Sequence, residues 1–360
     1  MVVISDGAGS STLSGTLEAG SAPAGAGGGE VLLETRQLSK DFVLSGGLVR
    51  RLGGRQAEVL HAVDRVSLTV RRGETLALVG ETGSGKTTLG RLVLRLYRPT
   101  SGELLYRGNS LLRLDKAGDE QFRKTVQMIF QDPYSSLNPT MTVGSILAEA
   151  LRFHRVAPRD QISARVEELL LTVGLSGNMA RRKPHEFSGG QRQRIGIARA
   201  LAVGPELIVA DEPLSALDVS IQAQILNLLA RLQDDAGLTY LFITHDLEVA
   251  RHLSQRVAVM YLGELVEIGA TDAIFEEPLH PYTRALVAAT PKLGARRNRR
   301  PAAVRGDLPN AIERPSGCHF HPRCPYAMDV CRVEAPPRRM VAPNRDVACH
   351  LFDAHRIPVA

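Results

Sequence analysis

Thr75-Leu76-Ala77-Leu78-Val79 runs straight into Gly80-Glu81-Thr82-Gly83-Ser84-Gly85-Lys86-Thr87-Thr88. The first five residues are an apolar run of strand length, and Thr87–Leu96 continues as a helix, so the glycines fill a strand-to-helix turn. Gly80, Gly85, Lys86 and Thr87 stand at the spacing of a phosphate loop, in the strand-then-helix context that motif requires. Glycine lets the successive backbone N–H groups of Gly80, Glu81, Thr82, Gly83, Ser84 and Gly85 turn inward as an anion nest. The helix N-terminus adds positive partial charge on the same side. Lys86 is expected to reach the β- and γ-phosphates, Thr87 to place its hydroxyl on Mg²⁺, and Thr88 to support the α-phosphate. An ordinary glycine-rich turn is the competing reading, and the flanking strand and helix disfavour it.

Downstream, the apolar Leu207–Ala210 ends in Asp211-Glu212. Two adjacent acids at a strand end are often plain turn residues. Below a phosphate loop they suit a metal contact through water (Asp211) and polarisation of an attacking water (Glu212), since phosphoryl transfer depends mainly on positioning and charge neutralisation. Ser188-Gly189-Gly190-Gln191 precedes a helix over Arg192–Ala202. Ser188 is a natural cap, and the two glycines allow close approach to phosphate. A second glycine-capped helix tip is surplus in a site that one chain completes alone. It has a purpose if it covers the γ-phosphate held by another subunit.

Residues 1–29 are rich in Gly, Ala, Ser and Thr without apolar period and read as a disordered extension. Val31–Ser39 reads as a first strand, Phe42–Glu58 as an inserted loop and Val59–Val70 as an alternating, half-buried strand. From about Val143 to Arg182 the apolar positions follow a helical period, which marks a helical subdomain at about 140–187. Strands and helices then alternate: Leu207–Ala210, Ile221–Gln233, Tyr240–Thr244, Leu247–Leu253 and Arg256–Tyr261. That order implies a parallel α/β sheet. Pro278–Pro291 bounds a short helical piece.

Together the phosphate loop, Gln131, Phe187-Ser188-Gly189-Gly190-Gln191, Asp211-Glu212, Ser215-Ala216-Leu217-Asp218 and His245 resemble an ATP-binding cassette (ABC) ATPase. Phe130–Pro139, Gln191–Leu201 and Leu217–Gln224 narrow the resemblance to the oligopeptide/dipeptide (peptide/nickel) importer family. The Phe42–Glu58 insertion and Tyr134 resemble that family's second, F-type ATPase subunit. The resemblance covers roughly residues 31–355. It implies an α/β fold of the ABC type: a RecA-like parallel sheet with a helical subdomain in an ATPase domain at 30–275, and an importer-type C-terminal extension at 276–360.

The same resemblance implies ATP and Mg²⁺ as cofactors. Gln131 would touch Mg²⁺ and the attacking water, His245 would hold the γ-phosphate and Glu212 in register, and Asp218 would cross a dimer interface. Phe42 would stack on adenine, where the family more often has Tyr; packing in the core is the other reading of that ring. It further implies a second ATPase, a D-type paralogue in a heterodimer, two membrane permeases, an extracytoplasmic peptide-binding protein, and a peripheral place on the cytoplasmic face of the membrane. Cargo selection rests with other subunits, so dipeptides, longer peptides, nickel chelates and glutathione all stay open.

All four cysteines fall near the end: Cys318, Cys324, Cys331 and Cys349. No close C-x-x-C pair occurs, so the usual zinc-finger spacing is absent, and stable disulfides are disfavoured in a reducing cytosol. Three readings stay open: a 4Fe-4S cluster, as in some importer tails; zinc with a nearby His; or reduced thiols without metal.

Net charge is +6, and residues 291–360 carry 13 Lys and Arg against 6 Asp and Glu. This basic tail is either a solvated segment or a contact with acidic lipid or a partner. Without interleaved aromatics it gives little support to nucleic-acid binding. No apolar run reaches the ~18–20 residues needed to span a bilayer, and no secretory signal is read, so a cytosolic chain is expected. Ribosome-type ATPases normally carry two cassettes in one chain, and chromosome-type cassettes are split by a coiled coil; this sequence shows neither feature. A non-hydrolysing regulatory cassette is disfavoured because Glu212 and His245 are both intact.

Overall fold

The structure, a computed structural model, describes residues 29–44, 58–132, 136–290, 309 and 311–353. Residues 1–28 of the expected N-terminal extension, most of the insertion (45–57), Tyr134 and the basic stretch 291–308 lie outside the described residues.

The parallel core is as the alternation predicts. Strands β3 (Thr75–Val79), β6 (Val126–Ile129), β7 (Leu207–Asp211), β8 (Thr239–Thr244) and β9 (Arg256–Tyr261) pair in parallel in the order β9-β3-β8-β7-β6. Their apolar runs are buried almost throughout, as strands covered on both faces must be. The full sheet is nevertheless mixed. Antiparallel β10 (Glu264–Ala270) joins β9, and a hairpin of β11 (Arg339–Ala342) and β12 (Arg345–Val347) extends it further. These last strands come from the stretch read as a loop-rich extension, and they are too short to show a period.

A second, antiparallel sheet has the order β2-β1-β4-β5: β1 (Val31–Leu44), β2 (Glu58–Arg71), β4 (Ser101–Tyr106) and β5 (Asn109–Ser110). β1 runs five residues beyond its expected end, because Phe42 and Val43 still pair with Leu60 and Val59. Leu33, Val66 and Leu68 of this sheet share a core with Leu76, Leu89 and Leu92. Helix α1 (Lys86–Val93) stops short of Leu96 because Arg95 turns left-handed, at φ 58°, and ends the helix. Helix α2 (Lys116–Thr125) leads into β6 and was not anticipated.

The helical layer contains α3 (Val143–Phe153), α4 (Ile162–Thr172) and α5 (Gly189–Leu201), packed with α6 (Val219–Ala236) in a separate core. Helix α7 (Leu247–Leu253) follows β8, α8 (Thr271–Glu276) follows β10, and α9 (Pro281–Ala289) is the Pro-bounded piece expected from sequence.

α9 is capped by a buried imidazole: His280 Nδ1 accepts the Tyr282 N–H at 3.0 Å. Burial, aided by Arg284, pushes its pKa down to about 3. The ring is therefore neutral when folded, whereas an unfolded histidine titrates near ~6.5. Below that pH the unfolded chain takes up a proton that the folded chain refuses, so stability falls as pH drops from about 6.5 toward 3, by up to ~1.4 kcal/mol per unit for this group. Melting temperature should therefore fall between pH 7 and 5. His280→Asn, whose amide oxygen can still cap the helix, should show a shallower fall. An unchanged slope would remove His280 as the cause.

Candidate functional site

Four adjacent parallel strands end at one edge of the sheet, and the site is built there. In register, Val79 pairs with Thr244, Asp211 with Ile243 and Ile129 with Ala210. The residues that follow are the phosphate loop after β3, Glu212 after β7, His245 after β8 and Gln131 after β6. The carboxyl edge of such a sheet is where open α/β folds bind ligands.

The loop's glycines are required by its backbone. Gly80 and Gly85 have φ of 154° and 101°, and a Cβ on either would stand 2.2 Å from a carbonyl oxygen, of Met260 and Ala62 respectively. Lys86 is buried and its ammonium lies inside the loop, donating to Gly80 O at 2.8 Å and Glu81 O at 2.9 Å. Burial lowers its pKa, against the pull of Glu212, Asp211 and Glu81. Thr87 Oγ1 donates to Asp211 Oδ1 at 2.9 Å. Burial raises the Asp211 pKa, and the Thr87 bond, Arg91 and Lys86 oppose that rise. A hydroxyl facing a carboxylate is an all-oxygen donor pair, which fits a hard cation such as Mg²⁺.

Glu212 stands in the left-handed region at φ 44°, a conformation a glutamate adopts only where its surroundings impose it. Its N–H is held by Ile243 O at 2.9 Å. That geometry brings one carboxylate oxygen, Oε2, to 3.2 Å from Gln131 Nε2 and 3.1 Å from His245 Nδ1. The side chain is 14% exposed, against 52% for His245. Gln131, Glu212 and His245 thus form one constellation, although 81 residues separate the first two.

Ser188 caps α5 as expected, and reciprocally. Its Oγ accepts the Gln191 N–H at 3.3 Å, while Gln191 Oε1 accepts the Ser188 N–H at 3.1 Å. Gly190 abuts Ile221 so closely that a Cβ would stand 2.4 Å from that side chain, and Gly189 faces Leu217. Asp218 opens α6, yet its side chain makes no capping bond, and Val219 beside it is 81% exposed. Phe42 is half-buried with Tyr97 edge-on at 5.4 Å and the Lys40 ammonium 5.0 Å from the ring centroid.

The comparisons with known proteins agree with this layout. Residues 63–215 match the ABC transporter family model, and residues 266–331 match the model described as the oligopeptide/dipeptide transporter C-terminal region. The oligopeptide transport ATP-binding protein AppF of Bacillus subtilis (strain 168) is 48% identical over 90% of this chain and 98% of its own length. The chain belongs to the oligopeptide/dipeptide ABC-transporter ATP-binding protein family. The di/tripeptide transport ATP-binding protein DppF of Pseudomonas aeruginosa (strain UCBPP-PA14) is 45% identical over 89% of this chain and 98% of its own. Among solved structures, the dimeric post-hydrolysis state of the ATP-binding cassette MJ0796, bound to ADP and Pi, is 29% identical, with a TM-score of 0.58 over 67% of this chain and 99% of that one. The chain is accordingly an ATP-hydrolysing cassette.

The family's C-terminal match includes Cys318, Cys324 and Cys331 but ends before Cys349. All four thiols do line one small cavity beside α9. Metal ligation there receives no support: among the described residues no group of three or more His, Cys, Asp or Glu is disposed to hold a metal ion. Burial pushes the Cys318 thiol up to about 12 and Cys349 up to about 11 and raises Cys324. Cys318 and Cys324 pack against the core that includes Phe320 and Tyr282.

Two residues of the site were not found from sequence. The Tyr282 hydroxyl accepts the Glu81 N–H, and Arg323 pairs with the Glu81 carboxylate. They lie 201 and 242 residues from Glu81, and no local signal links them to it. An open groove of about 1400 Å³, lined among others by Leu96, Leu112, Phe130, Phe153 and Arg199, was also unforeseen. Among the described residues no helix is long and apolar enough to cross a membrane.

Proposed function

We propose that this chain is the ATPase subunit of a peptide importer and works as one of two cassettes that close around shared nucleotides. The observation that carries the reading is the Glu212 carboxylate, held between Gln131 and His245 at the strand edge that also carries the phosphate loop. In this reading Lys86 leaves the loop carbonyls to meet the β- and γ-phosphates, and the loop's N–H groups bind the remaining oxygens. Thr87 and Asp211, with Gln131 through its amide oxygen, hold Mg²⁺, which supplies charge neutralisation on the phosphates. Glu212 takes the proton of the attacking water, and His245 keeps Glu212 aligned while contacting the γ-phosphate. Thr88 supports the α-phosphate and Phe42 the adenine.

The Ser188–Gln191 helix tip and Asp218 act on the partner's nucleotide. Ser188 is exposed, and at the start of α6 Asp218 is exposed with no side-chain capping bond and Val219 is exposed too, which suits residues that meet a second subunit. The F-like features make that subunit a D-type paralogue. Phe130 joins the Gln131 loop to the wide groove, where Leu96 is 59% and Phe153 74% exposed; this is the surface we assign to a membrane permease. Attachment would be peripheral, on the cytoplasmic face, with an extracytoplasmic peptide-binding protein reaching the cassettes through the permeases. The peptide cargo is inferred from relatives named for oligopeptide and di/tripeptide transport. A 4Fe-4S centre rests only on the convergence of four thiols; iron and labile-sulfide content after anaerobic purification decides it.

Ser188→Arg should abolish hydrolysis at the site this helix tip completes and spare nucleotide binding at this chain's own loop. Mixing the variant with a normal partner cassette should leave at most about half the turnover, because a lost electrostatic contact costs roughly 10²-fold or more at one of the two sites. Full turnover in the mixture would refute the shared site.

A further inference from the structure

Glu81 is the residue through which the C-terminal extension grips the phosphate loop. The Arg323 guanidinium lies fork-on-fork against its carboxylate, Nη1 to Oε2 at 2.8 Å and Nη2 to Oε1 at 2.9 Å, with the arginine side chain 6% exposed. The Tyr282 hydroxyl takes the backbone N–H of the same residue at 2.9 Å. Main chain and side chain of one loop residue are therefore both held from the extension.

Arg323 is itself firmly seated. It follows Phe320, whose ring packs at 5.3 Å from Tyr261 and 5.4 Å from Tyr282. The short turn between them is closed by the His321 N–H on Cys318 O at 2.9 Å and the Arg323 N–H on Phe320 O at 3.0 Å. Moving the guanidinium would mean moving a packed aromatic cluster.

The electrostatics give this grip a purpose. The Lys86 ammonium lies 2.9 Å from the Glu81 carbonyl, and the charge of the Glu81 carboxylate acts on it, opposing the loss of its proton on burial. A planar guanidinium matches a carboxylate with two parallel bonds, and an ammonium matches it with one. Arg323 thereby occupies both oxygens, leaves Lys86 available for phosphate, and neutralises a negative charge at the mouth of a site that must accept a triphosphate.

We propose that Arg323 is a positioning residue for ATP: by sequestering the Glu81 carboxylate it keeps Lys86 free for the nucleotide. The inference rests on the loop being the ATP site. The test uses the full chain with its partner cassette and measures steady-state ATPase activity, binding of a fluorescent ATP analogue with Mg²⁺, and melting temperature. Arg323→Gln should raise the KM for ATP about tenfold with kcat within about twofold, the scale of one charge-assisted contact. Glu81→Gln combined with Arg323→Gln should bring KM back to within about threefold of normal, because no carboxylate then competes for Lys86. An unchanged KM in Arg323→Gln, or a double variant as impaired as the single, overturns the proposal. If Arg323→Gln fails to fold, Arg323→Lys carries the test: KM should rise about threefold, and an unchanged value overturns it. Lys86→Ala separates the two readings, since intact nucleotide binding in that variant would defeat the ATP site itself.

Discussion

Glu212→Gln should retain ATP and almost cease to hydrolyse it. The amide has the shape of the carboxylate and can still meet Gln131 and His245, which stand 3.2 and 3.1 Å from Oε2. It cannot take a proton from water. Loss of a positioned base costs roughly 10²–10⁴ in rate, or about 3–5.5 kcal/mol of barrier. Binding should survive because Lys86, Thr87 and the loop amides are untouched, so a closed dimer should accumulate with ATP. Phosphate release in a single turnover, with light scattering for the dimer, checks both halves of the statement. Turnover within a few-fold of normal would remove Glu212 from the chemistry.

Arg345→Met should destabilise the protein by about 3–5 kcal/mol, the cost of leaving a buried charge without its counter-ion. Glu267 is 1% exposed. Its carboxylate accepts the Leu279 and His280 N–H groups at 3.0 and 2.9 Å and faces Arg345 Nη2 at 3.3 Å. The same guanidinium also donates to the carbonyls of Ala273 and Glu277. One arginine of the C-terminal hairpin therefore closes off a carboxylate of β10 and the end of α8. The double variant Glu267→Gln with Arg345→Met should recover much of the loss, since an amide is far cheaper to bury than a lone carboxylate. Urea denaturation followed by circular dichroism measures both. A loss under 1 kcal/mol in the single variant would mean that the two backbone N–H groups suffice.

How much of this was legible in advance depends on the range of the forces involved. The phosphate loop could be read because its chemistry is local: glycine spacing, one lysine and one threonine fall within a single turn. Asp211-Glu212 and Ser188–Gln191 were readable for the same reason, each being a short element end with a polar residue where an apolar run stops. The meeting of Gln131, Glu212 and His245 was legible only through family resemblance, because it depends on strand order. The left-handed backbone at Glu212 left no trace in residue type. Strands β4 to β6 were passed over because their runs are short and flanked by charge. β11 and β12 were missed because a strand of three or four residues has too little length for alternation to appear. The grip on Glu81 by Tyr282 and Arg323 is a tertiary contact that no window on the chain can contain. For the cysteines, convergence was legible in their clustering; their burial was not, since it is set by the aromatic cluster they pack against.

The hairpin that ends the large sheet also shields it. β11 is four residues long and exposed along its length, preceded by Pro336, Pro337 and Arg338 and followed by Pro343. Such a border offers little to another chain, because prolines and charge spoil a row of free amides and carbonyls. Remove it, and the sheet would finish on β10, seven residues long and carrying Leu265, Val266 and Ile268. A fragment trimmed to the catalytic lobe would bare the backbone groups of Glu267 and Ile268 that β12 now pairs, an added place for a foreign strand to join.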